Sequence, residues 1–283
     1  MSRLAGRGVV LTGASGGIGA ALCDRLVAAG AKVHAIGRDA DRLAALAKRH
    51  PGCVIPLVAD ITRPEGIDHA IRKIAVAEPP PSMLILAAAV SCFGRFDDLS
   101  LEMMTAIVET NLVAPMRLIQ ALLPQLAGTS DPAVVVIGST FGSIGFPGFA
   151  AYSASKFGLR GLTEALAREY ADGPVRFQYL SPRATRTPIN PPAVVALNRE
   201  LGTAVDEPDV VARQLMAAIE RGDRRRQLGF PEKLFARVNG ALPALVDRAL
   251  AGNLPIVQRH ARAMREPPAQ PTDQALSKPE IRQ

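Results

Sequence analysis

The chain has few of the residues that hold a fold together by cross-links or metals. Three cysteines (Cys23, Cys53 and Cys92) lie far apart among 283 residues, with no C-x-x-C pair. A disulfide framework is thereby excluded, and Cys23, in an amphipathic stretch, reads as a buried thiol. The four histidines, His34, His50, His69 and His260, are dispersed without metal-ligand spacing, so no metal site is expected. No apolar run reaches the roughly 18 residues that a spanning helix needs. Met1 to Gly8 is polar and leads straight into a strand, unlike a secretory leader. No internal repeat is evident. The expectation is a soluble protein of a reducing compartment, the cytoplasm.

A sustained charge of one sign is also missing from most of the chain. The net charge is +7, yet residues 1–220 hold 21 Lys/Arg against 20 Asp/Glu, while residues 221–283 hold 12 against 6. A uniformly basic nucleic-acid binder is excluded on that distribution, and no nucleic-acid partner is expected.

What the chain does have is apolar material in regular alternation. Apolar residues make up 48% of it, ample for a well-buried core. Short apolar runs at Gly8–Thr12, Lys32–Gly37, Val54–Ala59, Met83–Ala89, Ala133–Gly138 and Val175–Leu180 read as strands. Between them, helical spacing occurs at Gly17–Ala29, Asp39–His50, and about 64–77, 100–126, 151–171 and 207–221. Gly30 suits the end of the first helix and Asp39 the N-cap of the second. Strands this apolar are buried on both faces, which predicts a Rossmann-type doubly wound α/β fold with a parallel sheet.

The first strand meets the first helix through Thr12-Gly13-Ala14-Ser15-Gly16-Gly17-Ile18-Gly19. Small residues let the backbone approach a pyrophosphate, and the helix N-terminus offers free N–H groups. A tight turn alone would explain the glycines, but at the first strand of a βαβ unit they point to a dinucleotide. NAD sites place an acid at the end of the second strand; here the residues are Ile36-Gly37-Arg38, and a guanidinium suits the 2′-phosphate of NADP(H).

The chain from residue 6 to 230 resembles the short-chain dehydrogenase/reductase family. The likeness rests on the Thr12–Gly19 turn, Asp60 after the third strand, Asn111 in the fourth helix, Ser139 after the fifth strand and Tyr152-Ser-Ala-Ser-Lys156. Tyr152 and Lys156, four apart, share a helix face. A cation beside a tyrosine lowers its pKa from about 10, which would suit Tyr152 for proton transfer.

The resemblance implies an oxidoreductase interconverting a ketone and a secondary alcohol by hydride transfer. Tyr152 would be the acid/base, Ser139 would hold the carbonyl oxygen, and Lys156 would bind the nicotinamide ribose. Asn111 would hold a water of a proton relay and Asp60 would contact adenine. Gly13, Ser15, Gly16, Gly17, Ile18, Gly19, Arg38, Ile61, Ala88 and Thr187 would complete the cofactor site, and a homo-oligomer would be usual. Two departures stand out. The family's Asn-Asn-Ala-Gly is Leu86-Ala87-Ala88-Ala89 here, losing amides that would brace the sheet. The family's Pro-Gly after the sixth strand is Pro182-Arg183, whose cation could bind an anionic substrate group or point to solvent. A fold kept for dinucleotide-dependent regulation or scaffolding, without turnover, is the competing expectation.

The covering segment after Thr187 predicts a lid helix over Ala193–Leu201, whose aliphatic residues either face an apolar substrate or pack inward. Gln227–Phe230 reads as a last strand. Residues 231–265 form an amphipathic, basic extension divided at Pro243, and residues 266–283, with four prolines, read as a disordered tail. Such an extension suits a membrane interface, a subunit contact or its own core. Membrane association would be peripheral and at the surface.

Overall fold

Residues 3–264 are described by the structure, a computed structural model; the proline-rich stretch 266–283 lies outside them. Seven strands form one parallel sheet in the order β3-β2-β1-β4-β5-β6-β7. The central strands β1 (Gly8–Thr12), β4 (Pro81–Leu86) and β5 (Ala133–Ile137) are buried at every position, because helices cover both faces. β2 (Lys32–Gly37) and β3 (Val54–Val58) extend one side, and β6 (Arg176–Ser181) and β7 (Arg225–Gln227) the other. Strand order reverses between β1 and β4, which opens a crevice beyond their carboxyl ends.

On one face α1 (Gly17–Ala28), α2 (Ala40–Arg49) and α8 (Pro208–Arg221) pack Leu22, Leu26, Leu43 and Leu215 onto Val9, Leu11 and Val33. On the other, α3 (Pro64–Ala75), α5 (Ala114–Ala127) and α6 (Ala150–Glu169) bury Ile67, Leu118 and Leu159 against Val10, Leu84 and Val136. The local signals act as expected at two helix ends. Asp39 Oδ1 accepts the Arg42 N–H at 2.9 Å to open α2, and Gly30 follows α1 at φ +88°.

The structure corrects three readings. The helix expected over 100–126 is α4 (Leu101–Val108) and α5 joined by a π-helical turn, Glu109–Val113, which carries Asn111. Taken as one unit, Leu101–Ala127 is long and apolar enough to cross a membrane, an 18-residue window of it reaching mean hydropathy 1.3, although no uninterrupted apolar run showed this. Its buried face belongs to the sheet's core through Leu118, Leu122 and Leu126. The last strand is Arg225–Gln227, earlier than expected, since Leu228 turns into the core and Phe230 is 73% exposed.

The helix expected over Ala193–Leu201 is present as α7 (Pro192–Glu200); its Val194 and Leu197 pack inward and also line the crevice. Pro243 divides the extension into α9 (Glu232–Ala241) and α10 (Pro243–Ala251), followed by α11 (Leu254–Ala263). α11 joins the protein's own core: Val257 and Ala261 pack with Phe93, Phe149, Val194 and Leu197. In α9 no residue is buried, and in α10 only Val246 is.

Candidate active site

The crevice is a single cleft of about 1140 Å³, larger than the roughly 300–1000 Å³ typical of one small ligand. At its floor the β1–α1 turn folds tightly. Gly13 has φ +68°, and a Cβ there would lie 2.7 Å from the Ala88 backbone; one at Gly19 would lie 2.0 Å from the Gly13 carbonyl oxygen. No side chain caps α1, so the N–H groups of its first turn remain available to a phosphate. Ser15, Gly16, Gly17, Ile18 and Ala88 line this end, with Thr187 standing directly against Gly17.

Arg38, exposed at the end of β2, and Arg42 line the same end and form its cationic corner. Asp60 and Ile61 lie beside them. Asp60 Oδ1 accepts the Thr62 N–H and hydroxyl at 3.0 and 2.7 Å. Burial would raise its pKa, but those bonds and the Arg38 and Arg63 charges hold it below the usual carboxylate value. The residues present therefore fit a dinucleotide: an uncapped helix N-terminus, a floor too tight for side chains, and two guanidiniums near its mouth.

Ser139, Tyr152 and Lys156 converge at the other end of the floor. Ser139 stands two residues past β5, and its Oγ accepts the Phe141 N–H at 3.1 Å, capping the short turn Thr140–Gly142. Ser139 and Tyr152 line the same part of the cleft, close enough for Ser139 to oppose the rise in the Tyr152 pKa that burial causes. Lys156, only 2% exposed, donates from Nζ to the Ile137 carbonyl at 3.3 Å and stands 5.8 Å from the centre of the Tyr152 ring.

The expected lowering of the Tyr152 pKa is not what the protein's own groups produce. Burial pushes the phenol up, with Ser139 pulling the other way, and burial pushes the Lys156 ammonium down to about 8. Desolvation favours the neutral form of each group.

The two departures from the family pattern are resolved locally. Thr12 Oγ1 accepts the Ala87 and Ala88 N–H groups at 3.1 and 3.2 Å, so a hydroxyl on β1 braces the loop where amides are lacking. Arg183 is mostly buried and its guanidinium is already engaged: it forks onto Asp206 at 2.7 and 2.8 Å.

Asn111 is fully buried, and its amide is committed. Oδ1 accepts the Val90 N–H at 2.9 Å, while Nδ2 donates to the Val90 carbonyl at 2.9 Å and to Ser155 Oγ at 3.0 Å. Ser155 in turn donates to the Tyr152 carbonyl at 2.7 Å, so Asn111 ties the β4 loop to the Tyr152 helix rather than presenting its side chain to a water.

Sequence reasoning missed Tyr179. Its hydroxyl donates to the Lys156 carbonyl at 3.2 Å from behind the site, and a Cβ at Gly138 would lie 2.3 Å from its ring. Only the β5–β6 pairing brings Tyr179 there, so no local signal could have found it.

Above Tyr152 the wall is aromatic. Phe141 stacks on Phe146 with centroids 5.2 Å apart, and meets Tyr152 edge-on at 6.3 Å. Five of the nine phenylalanines gather around this end: Phe93, Phe141, Phe146, Phe149 and Phe235. α7, α9 and α10 close it with Leu197, Phe235 and Val246.

The sequence profile of the short chain dehydrogenase family matches residues 7–196. An uncharacterised oxidoreductase of Mycobacterium tuberculosis is 30% identical over 250 residues, 86% of this chain and 96% of that protein. The 3-ketodihydrosphingosine reductase of Bos taurus is 28% identical over 240 residues, 80% and 72% of the two chains. A short-chain dehydrogenase from Streptomyces avermitilis superposes with a TM-score of 0.75 at 28% identity, over 90% of this chain and 98% of the other. Among other solved neighbours, one from Burkholderia cenocepacia holds NADP (27% identical, TM-score 0.72, 80% and 96% covered). One from Burkholderia phymatum holds NAD (22% identical, TM-score 0.76, 87% and 96% covered) and shows likeness of fold alone. With the motif residues in one cleft and the profile matching most of the chain, this protein belongs to the short-chain dehydrogenase family of oxidoreductases.

Proposed function

We propose that the chain interconverts an apolar ketone and a secondary alcohol with NADP(H). The observation that carries this reading is the convergence of Ser139, Tyr152 and Lys156 in one cleft at the base of an aromatic chamber. When bound, NADPH supplies the hydride. Tyr152, largely neutral because burial raises its pKa, holds a proton to give the carbonyl oxygen, and Ser139 orients that oxygen by its hydroxyl. Lys156 binds the cofactor's ribose and, when charged, stabilises the phenolate that proton donation leaves. Phe141, Phe146 and Phe149 exclude water from the reacting carbon.

Arg38 and Arg42 favour NADP over NAD, since the carboxylate next to them, Asp39, caps α2 and pairs with Arg42 at 3.2 Å and does not line the cleft. The aromatic and aliphatic lining favours an apolar substrate. Val108, Met116 and Phe157, exposed on the helices beside Tyr152, favour a homo-oligomer formed through that face. Leu234 on α9, Leu245 on α10 and Leu242 between them, all exposed, with Lys233 and Arg248 nearby in sequence, favour peripheral contact with an anionic membrane surface.

The test is Tyr152→Phe, assayed by NADPH absorbance against aliphatic and aryl ketones. Turnover should fall at least about 10²-fold, as for loss of a general acid, while NADPH fluorescence titration still shows binding. Turnover retained within tenfold would refute the assignment.

A further inference from the structure

The substrate end of the cleft holds an ion cluster that hydride transfer does not use. Arg183 stands just past β6, after Pro182, whose carbonyl accepts the Thr140 N–H at 3.2 Å. Its Nε and Nη2 donate to Asp206 Oδ2 and Oδ1 at 2.8 and 2.7 Å, the fork geometry that engages both carboxylate oxygens. Nη1 faces Glu232 Oε2 at 3.6 Å and bonds the Phe230 carbonyl at 3.4 Å. The three side chains are 19%, 13% and 18% exposed, and Glu232 Oε2 is buried without a hydrogen bond of its own.

One cation against two carboxylates leaves the cluster net negative. Arg183 and Glu232 are the charged side chains lining the chamber beyond Lys156, among the described residues. The guanidinium that could have received a substrate carboxylate is already occupied, and Glu232 adds a charge that repels one. At the cofactor end the sign reverses, with Arg38 and Arg42.

Resting on the proposed ketone reductase reading, we propose that this cluster is a charge filter: the chamber takes uncharged carbonyl compounds and rejects carboxylates. Glu232 determines that specificity and Asp206 withholds Arg183 from substrate. Like charges brought together in a site poor in water disfavour binding strongly, so the filter acts mainly by exclusion.

The experiment compares an aryl alkyl ketone bearing a terminal methyl ester with the same ketone as its free acid. Both kcat/KM with NADPH and calorimetric binding to the NADP⁺-loaded protein are measured. The wild type should favour the ester at least tenfold in both. Glu232→Gln should shrink that ratio at least fivefold by improving the acid, and Asp206→Asn, which frees part of Arg183, should shrink it too. NADPH affinity within twofold of wild type reports that each variant is folded. A wild type that handles acid and ester equally overturns the filter, as does a Glu232→Gln variant weakened equally toward both. If neither ketone turns over but the ester binds tenfold more tightly, the filter stands and the hydride-transfer reading fails. If neither binds, the chamber is not the substrate site.

Discussion

Asn111→Ala removes a side chain whose bonds all lie inside the protein, so its cost can be worked from the structure. The Val90 N–H and carbonyl each lose a partner at 2.9 Å, while Ser155 Oγ keeps its bond to the Tyr152 carbonyl. An orphaned buried peptide group costs about 1–3 kcal/mol. Val90 is only half-buried, so water meets part of its need, and the total should be about 2–4 kcal/mol for the two groups. At about 2–4 °C per kcal/mol for a large domain, Tm should drop by about 4–16 °C. The chain has no tryptophan, so urea unfolding is best followed by far-ultraviolet ellipticity. Asn111→Asp should be no better than alanine at pH 7, because a carboxylate oxygen would then face the Val90 carbonyl oxygen. A loss under about 0.5 kcal/mol for alanine would show that these bonds are not what holds the β4 loop to the Tyr152 helix.

Two further outcomes follow from single side chains. Arg38→Ala should weaken NADPH binding about 10–100-fold, the range for a charge-assisted bond of about 1.5–3 kcal/mol; NADH binding should change less than twofold, and equal losses for both would remove Arg38 from the 2′-phosphate site. His34 is 3% exposed with neither ring nitrogen bonded, and burial, followed by the Lys32 charge, lowers its pKa. The unfolded chain therefore binds the proton first, so stability is full above about pH 6.5 and declines as pH falls through that value, by at most about 1.4 kcal/mol per pH unit. His34→Val should flatten that part of the urea-midpoint profile between pH 5 and 7, and an unchanged slope would clear His34 of the effect.

What the sequence determined by itself was the local chemistry. Apolar runs, helical spacing, Asp39 and Gly30 specify the β–α alternation because each acts through neighbours a few residues away. Together with the resemblance, the Thr12–Gly19 turn and the Tyr152–Lys156 spacing allowed the cleft to be anticipated, since turn, helix end and helix face are local objects. The strand expected at 227–230 shows the limit: its residues are apolar enough, but pairing with β6 selects Arg225–Gln227 and sends Phe230 outward. Only the tertiary structure decided the pairings across long stretches of chain. Thr12 braces Ala87 and Ala88, Tyr179 backs Lys156, and Asp206 occupies Arg183, a cation that in sequence is free to take an anion. Whether a buried group is charged, bonded or available depends on what folding brings within about 3 Å of it, and spacing along the chain does not carry that distance.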